Sequence, residues 1–285
     1  MSISSSAQIH ETAVIENGAT IGEGVVVGPY AVIGANVVLG ARTRVDSHVV
    51  LAGRTKIGEG NHIFPFASVG TAPQDLKYRG EESELIVGNE NVIREYVTLQ
   101  PGTSGGGMKT TIGNSNLLMA CTHVGHDCHL GNGNILANSA ALSGHVIVGD
   151  SVTVGGLSGI HQFVRLGNSS FIGGGAMVVQ DIPPYCLAQG DRAKLCGLNL
   201  VGLKRQGFSA DDIRELKSCY REIFLRSGKL RDKLEEVVSK YAGKSHIETL
   251  VSFIKSSERG VTSARSEDDR DRSGDSEQKN GTAQE

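Results

Sequence analysis

Aliphatic residues recur at every sixth position along the first two thirds of the chain. One run of eleven such positions has no exception. Its members are Ile9, Ile15, Ile21, Val27, Ile33, Leu39, Val45, Leu51, Ile57, Ile63 and Val69. The same spacing returns at Val87, Ile93 and Leu99 and then fills a second long run. That run comprises Ile112, Leu118, Val124, Leu130, Leu136, Leu142, Val148, Val154, Ile160, Leu166, Ile172 and Val178. A period of six fits neither an amphipathic helix nor an alternating strand, so it predicts a solenoid of short strands.

Each six-residue unit has further regular positions. Glycine often follows the aliphatic residue, as Gly125 follows Val124, and a small residue usually stands four positions after it, as Thr122 does after Leu118. Such a unit supplies one strand and one corner, with its aliphatic and small residues pointing inward. Three units of six close a triangular coil, so residues 18 apart should stack at the strand spacing of about 4.8 Å. We therefore predict a mainly β fold, a parallel β-helix, over residues 1–190.

The period is interrupted twice, and each interruption predicts a loop that projects from the solenoid. The first loop lies near residues 70–86 and carries charges and turn-forming residues. The second lies near residues 100–111, is rich in glycine and shifts the phase by one residue. Insertions in repeat proteins often line a binding site on one face.

The pattern changes to a helical one in the C-terminal part. Residues 191–260 are predicted to form a small α-helical domain, in which Ser209 with Asp212 begins one helix and Ser245 with Glu248 begins another. Residues 261–285 contain few large apolar side chains, so we expect a disordered tail.

Composition and charge narrow the class of protein. The 38 glycines and the absence of tryptophan are typical of a repetitive fold with many turns. A net charge of −3 argues against a general nucleic-acid binder. The first residues do not resemble a signal peptide, and no apolar stretch is long enough for a membrane span, so we expect a cytoplasmic protein without stable membrane insertion. The five cysteines form no CxxC pair and are interpreted as free thiols.

The densest polar cluster is CTHVGHDCHLG, residues 121–131. A zinc site is one interpretation, because Cys121, His123, His126 and Cys128 are all metal-ligand types and hexapeptide β-helix carbonic anhydrases bind zinc. However, Cys128 takes the small inward position of its unit, whereas His126 lies at a corner and faces outward. The four side chains therefore do not converge easily, and we predict no metal site.

The 18-residue stacking gives a second interpretation of the same cluster. It places His126, Gly144 and Gln162 on one edge, with Asp127, His145 and Phe163 beside them. An imidazole then lies next to the backbone N–H of a glycine, and acyl transfer needs such a general base and oxyanion donor. Asp127 either caps the corner or holds the His126 ring in its productive tautomer.

Five segments carry a resemblance to a known family. HVGHDCHLGNGNILAN, SGHVIVGD, GIHQFVRLG, QDLKYRGE and QDIPPYCLAQGDRAKLCGLNLVGLKRQGF resemble the UDP-N-acetylglucosamine acyltransferases, over residues 9 to about 225. The resemblance implies a left-handed parallel β-helix of hexapeptide repeats and a homotrimer with the site between subunits. It also implies transfer of a (R)-3-hydroxyacyl chain from acyl carrier protein to the 3-position of UDP-N-acetylglucosamine, the first step of lipid A biosynthesis, without a cofactor.

The resemblance also implies roles for individual residues. His126 matches the general base and Gly144 the oxyanion donor, while Gly174 matches the position that limits acyl length and, as glycine, implies a longer chain. The residues that match substrate contacts are Asp75, Lys77, His123, His145, His161, Gln162, Asn199 and Arg205. Relatives often have a second arginine where this chain has Gln206. Two alternatives remain at this point, namely a zinc β-helix like the carbonic anhydrases and a structural solenoid without activity.

Overall fold

The computed structural model describes residues 2–265 and is a parallel β-solenoid followed by a small helical region. In this part of the chain, three sheets of nine, eleven and nine strands form the faces of the solenoid. Up to Val178, each strand pairs in parallel with the strands three places before and after it in the chain. This pairing confirms that the coil closes after three units.

The strands of each sheet follow one another along the solenoid axis. The first sheet contains Ser2–Ile3 (β1), Thr20–Ile21 (β4), Val38–Leu39 (β7), Arg54–Ile57 (β10), Glu84–Val87 (β13), Lys109–Ile112 (β16), His129–Leu130 (β19), Ile147–Val148 (β22) and Arg165–Leu166 (β25). The second contains Gln8–Ile9 (β2), Val26–Val27 (β5), Arg44–Val45 (β8), His62–Ile63 (β11), Val92–Ile93 (β14), Leu117–Leu118 (β17), Ile135–Leu136 (β20), Thr153–Val154 (β23), Phe171–Ile172 (β26), Cys186–Gln189 (β28) and Lys194–Leu198 (β29). The third contains Val14–Ile15 (β3), Val32–Ile33 (β6), Val50–Leu51 (β9), Ser68–Val69 (β12), Thr98–Leu99 (β15), His123–Val124 (β18), Ala141–Leu142 (β21), Gly159–Ile160 (β24) and Met177–Val178 (β27).

The register of neighbouring coils follows the predicted spacing. His123 pairs with Ala141, 18 residues later, and from Ile21 onward the aliphatic residues of the period are buried inside the prism. The spacing grows only at the insertions, to 30 residues between Arg54 and Glu84 and to 25 between Glu84 and Lys109. Both insertions therefore project from the solenoid, and the order in which the strands stack stays the same.

The corners of the coil use left-handed backbone conformations. Asp127, His145 and Phe163 occupy equivalent corners in successive coils and have φ values of 59°, 62° and 69°. Such φ values are uncommon outside glycine, although aspartate and asparagine tolerate them better than most residues. Each corner thereby turns the chain from the third sheet to the first within four residues.

The C-terminal region begins with a hairpin, in which β28 pairs antiparallel with β29. The hairpin crosses the boundary that we proposed at residues 190 and 191. Four α-helices and one π-helical turn follow it within the described residues. They are Leu200–Arg205 (α1), Ala210–Tyr220 (α2), the π-helical turn Arg221–Leu225, Leu230–Lys240 (α3) and Ser245–Lys255 (α4).

The predicted helix starts have different outcomes. Ser209 and Asp212 form a reciprocal capping box at the start of α2, as predicted. The prediction for Ser245 is wrong, because Lys244 is the N-cap of α4 and makes no side-chain cap bond. Ser245 is already the first helical residue, and Glu248 instead accepts a hydrogen bond from the N–H of Gly243.

The segment after α4 returns to the solenoid. Residues 261–265, which we expected in a disordered tail, pair with it instead, because Val261 bridges to Asp181 and Ala264 bridges to Leu195. Thr262 is buried there. The remainder of the predicted tail, residues 266–285, lies outside the described residues. Within residues 2–265, no helix has both the length and the apolar character that crossing a bilayer requires.

Candidate active site

The candidate site lies on the edge where the third sheet turns into the first. His126, Gly144 and Gln162 occupy this edge in three successive coils, as the 18-residue stacking predicts. Backbone hydrogen bonds fix the alignment, since the N–H of His145 donates to the carbonyl of His126 at 2.9 Å and the N–H of Phe163 donates to that of Gly144 at 3.3 Å.

Gly144 lies directly against the His126 ring. A Cβ atom placed on Gly144 would be 2.5 Å from Cε1 and 2.6 Å from Nε2 of His126. Only a residue without a side chain allows this approach. Gly144 is buried, and among residues 2–265 no backbone acceptor is hydrogen-bonded to its N–H, so this donor has no internal backbone partner.

Asp127 orients the His126 ring from the other side. Its carboxylate is fully buried, and Oδ2 lies 2.8 Å from Nδ1 of His126, whose side chain is 13 % exposed. A carboxylate accepts hydrogen bonds, so the neutral ring carries its proton on Nδ1 and keeps a free lone pair on Nε2. The geometry favours the orienting role of Asp127, and the residue also forms the corner itself.

The first loop folds back over this edge. Oδ2 of Asp75 lies 4.0 Å from Nε2 of His126, the ring nitrogen that Asp127 does not contact. Asp75 is held by its own loop, because its Oδ1 accepts a hydrogen bond from the N–H of Lys77 at 2.9 Å. Lys77 is exposed beside it. The loop thus brings a carboxylate close to the base within a single chain.

Two further histidines lie close to His126. The His145 ring meets the His126 ring edge-on, with centroids 5.1 Å apart, and stacks on Phe163. Nδ1 of His123 lies 2.7 Å from the hydroxyl of Thr98. Burial lowers the pKa of both His123 and His145, and in the case of His145 the carboxylate of Asp127 partly offsets this effect. Both shifts favour the neutral ring, which can donate or accept hydrogen bonds.

His161 lies in the same coil as Gln162, two coils beyond His126, and is exposed. Its Nδ1 is 2.9 Å from a guanidinium nitrogen of Arg259, in the segment after α4, and 3.0 Å from the carbonyl of Gln162. Sequence reasoning did not identify Arg259, because 98 residues separate it from His161.

Three of the predicted site residues are remote from His126. Gly174 lies on another edge, between β26 and β27, and is exposed. Asn199 caps α1, accepting from the N–H of Gly202 and donating to the carbonyl of Ser169, both at 3.0 Å. Arg205 is exposed at the end of the same helix. A single chain therefore does not unite these residues with the base.

Comparisons with known proteins identify the family. The profile described as "Udp N-acetylglucosamine O-acyltransferase; Domain 2" matches residues 181–262, and the bacterial transferase hexapeptide profile matches residues 6–41. The acyl-[acyl-carrier-protein]--UDP-N-acetylglucosamine O-acyltransferase of Aliarcobacter butzleri is 52% identical over 253 residues, which cover 89% of this chain and 97% of the relative. The chain belongs to the UDP-N-acetylglucosamine O-acyltransferase family.

Solved structures support the same assignment. The UDP-N-acetylglucosamine acyltransferase of Campylobacter jejuni has a TM-score of 0.86 at 37% identity, covering 90% of this chain and all of that one. The enzyme of Bacteroides fragilis has a TM-score of 0.82 at 40% identity, covering 91% and 99%. Membership of the UDP-N-acetylglucosamine O-acyltransferase family favours acyl transfer over a carbonic-anhydrase-like or purely structural solenoid.

The four cysteine and histidine residues considered as zinc ligands do not converge in this member of the acyltransferase family. Cys128 is buried, with its thiol against the carbonyl of Ser143, and Cys121 is exposed on another edge. A different trio, His126, Asp127 and His145, has ligand atoms within 4.8 Å of one another. Its shared carboxylate oxygen already accepts a hydrogen bond from His126, so the arrangement suits a hydrogen-bonded acid–base pair.

We expect Cys128 to have no part in catalysis by this UDP-N-acetylglucosamine O-acyltransferase family member. Burial raises the pKa of its thiol to about 12, so almost none of the nucleophilic thiolate exists at neutral pH. Cys128→Ala should keep the kcat of the wild-type protein, with the exposed Cys121→Ala as the matched control. Intact mass spectrometry of protein incubated with acyl donor should find no acyl adduct. An adduct that disappears in Cys128→Ala would refute this expectation.

Proposed function

We propose that the chain transfers a (R)-3-hydroxyacyl group from acyl carrier protein to the 3-hydroxyl of UDP-N-acetylglucosamine. This is the first step of lipid A biosynthesis, and we place it in the cytoplasm. The observation that carries the proposal is the contact between His126 and Gly144, which brings a ring nitrogen with a free lone pair beside a backbone N–H with no backbone partner among residues 2–265. The names of the relatives agree with this donor and acceptor.

The proposed mechanism needs no covalent acyl-enzyme. Nε2 of neutral His126 takes the proton of the sugar 3-hydroxyl as its oxygen attacks the thioester carbonyl. The new C–O bond forms a tetrahedral intermediate, and the N–H of Gly144 donates a hydrogen bond to its oxyanion. The C–S bond then breaks, and the carrier thiol leaves with the proton that His126 returns. Asp127 keeps the proton of Nδ1 in place throughout.

The substrate contacts remain proposals that the geometry supports to different degrees. Asp75 lies near Nε2 of the base and Lys77 is exposed on the same loop, so these two residues suit the sugar and its anionic substituents. Gln162 stacks above Gly144 on the same edge. His145 adjoins the His126 ring, and His123 lies on the adjoining strand β18.

The nucleotide contacts are more distant. Arg205 is exposed and free to reach a phosphate, whereas the Asn199 side chain is committed to the helix cap and would act there by holding the arginine helix in place. His161 lies further along the same edge as the base, beside Arg259.

A homotrimer accounts for the distance between His126 and Gly174. The two residues lie on different edges of one prism, so an acyl chain reaches both only between neighbouring subunits. The edge that carries Gly174 also exposes a column of large apolar side chains, which a neighbouring subunit would cover. The column comprises Tyr30, Phe66, Tyr96 and Leu157.

An assay with graded substrates tests the proposal. Purified protein is incubated with acyl carrier protein loaded with 3-hydroxyacyl chains of increasing length, and with either UDP-N-acetylglucosamine or its 3-amino analogue. We expect an ester product with the ordinary sugar and a preference for long chains. Gly174→Met should shift that preference to shorter chains, because the larger side chain fills the end of the acyl site. The absence of transfer to either acceptor at every chain length would contradict the proposed function.

A further inference from the structure

The second loop, residues 100–108, seals the buried carboxylate of Asp127. Thr103 makes two hydrogen bonds to it, from its N–H to Oδ1 at 2.8 Å and from its hydroxyl to Oδ2 at 2.6 Å. Thr103 is only 4% exposed, and the Asp127 side chain is fully buried. These bonds connect residues 24 apart, whereas stacked residues in these two coils are 25 apart, so the contact does not follow from the repeat.

The backbone of this loop packs directly on the carboxylate. A Cβ atom on Gly106 would lie 2.0 Å from Cγ of Asp127, so the loop closes this tightly only with glycine there. The turn is held by two hydrogen bonds to the carbonyl of Thr103, from the N–H groups of Gly106 and Met108.

The hydrogen-bond pattern at Asp127 has one consistent solution. Oδ2 accepts from the Thr103 hydroxyl and lies 2.8 Å from Nδ1 of His126. His145 is too far for a hydrogen bond, with its Nε2 at 3.8 Å. With Thr103 donating, the carboxylate stays turned toward the ring, so a neutral His126 presents Nδ1–H to it and leaves Nε2 as the base.

We propose that Thr103 is a positioning residue for His126, which acts through Asp127 to fix the ring in the Nδ1–H tautomer. The proposal rests on the proposed function, in which Nε2 of His126 is the general base. The second insertion then contributes to catalysis indirectly, because its Thr103 hydroxyl keeps the Asp127 carboxylate aligned with His126.

The same loop is tied to the loop that covers the base. Glu81 accepts hydrogen bonds from the N–H of Arg79 at 2.7 Å and from the N–H of Ser104 at 3.1 Å. These backbone bonds, that of Arg79 first, lower the pKa of Glu81 to about 2, so the tie is present at neutral pH. Ser104 adjoins Thr103, and the first loop carries Asp75. The Glu81 carboxylate thus links the two insertions. The first insertion places Asp75 near Nε2 of His126, and the second holds Asp127 at Nδ1.

Paired substitutions test the role of the hydroxyl. Thr103→Val removes it at nearly constant volume and keeps the N–H bond, whereas Thr103→Ser retains it. We expect T103V to lower kcat by about 10- to 100-fold, by analogy with the groups that orient metal-binding histidines. The KM for the UDP-sugar should change little, and T103S should restore kcat. Thr111→Val is the matched control, because its hydroxyl lies 2.8 Å from Nδ1 of the surface residue His129 and its loss should leave kcat unchanged.

The tautomer of His126 distinguishes the two possible roles of Thr103. If Thr103 only stabilised the loop, its substitution would not change the tautomer. In protein labelled with ¹⁵N-histidine, the His126 signals should report the Nδ1–H tautomer in the wild type and in T103S, and a mixture of tautomers in T103V. Thr103→Ala takes the place of T103V should the valine variant be insoluble. Wild-type kcat and tautomer in the variant without the hydroxyl would overturn the proposal, as would a T103S variant as slow as T103V. Failure of the wild type to transfer acyl groups would refute the proposed function, while the tautomer still tests the contact.

Discussion

Replacing His126 by alanine is expected to reduce the kcat of acyl transfer by about 10²- to 10⁴-fold, the usual contribution of a positioned general base. The imidazole lies against Gly144 and is held by a buried carboxylate. The ring is outside the solenoid core, so its loss should leave the fold intact. The measurement is steady-state turnover with acyl carrier protein thioester and UDP-N-acetylglucosamine.

His129→Ala is the matched control for this variant. His129 lies on β19, three residues further along, and contacts Thr111 instead of the Asp127 carboxylate. We expect it to keep both kcat and the thermal unfolding midpoint. Near wild-type turnover in His126→Ala, with its fold unchanged, would show that the base is another residue.

Gly144→Ala is expected to lower kcat by about 10²- to 10³-fold, as the loss of an oxyanion donor does in other enzymes. The added methyl group would lie 2.5 Å from Cε1 of His126, closer than non-bonded carbon atoms approach. Either the ring turns away from Asp127 or the backbone of Gly144 moves. Both responses separate the base from the N–H that should stabilise the oxyanion.

Gly34→Ala controls for the general effect of a methyl group on the coil. Its Cβ would lie 3.3 Å from the carbonyl oxygen of Leu51, which is tight but can be relieved by a small shift. We expect kcat to stay at the wild-type value there. Equal losses in both variants would mean that the coil responds to any added methyl group and that Gly144 has no special role.

The six-residue period predicts the solenoid and its active edge because the same short-range geometry repeats in each unit. One coil follows from three units, so the position of Gly144 above His126 needs no knowledge of distant contacts. The same register predicts that Asp127 and His145, the next residues after His126 and Gly144, also lie one above the other. The roles of these residues in catalysis were inferred from the resemblance and from chemistry.

Other features lie beyond what the period can predict. The loop that brings Asp75 to 4.0 Å from His126 has no repeat, so its path depends on tertiary contacts. Thr103 is equally hidden, because nothing in a glycine-rich segment marks which residue will contact Asp127. The return of the chain to bridge Val261 with Asp181 connects residues far apart in sequence. Without such pairing, a polar segment looks disordered.

The most direct test of the central claim is a crystal structure of the protein with the acylated UDP-sugar product. We expect the oxygen at the sugar 3-position within hydrogen-bond distance of Nε2 of His126. The acyl carbonyl oxygen should lie within hydrogen-bond distance of the N–H of Gly144. A product that binds on another edge of the prism, or with its ester turned away from both groups, would contradict the proposed chemistry.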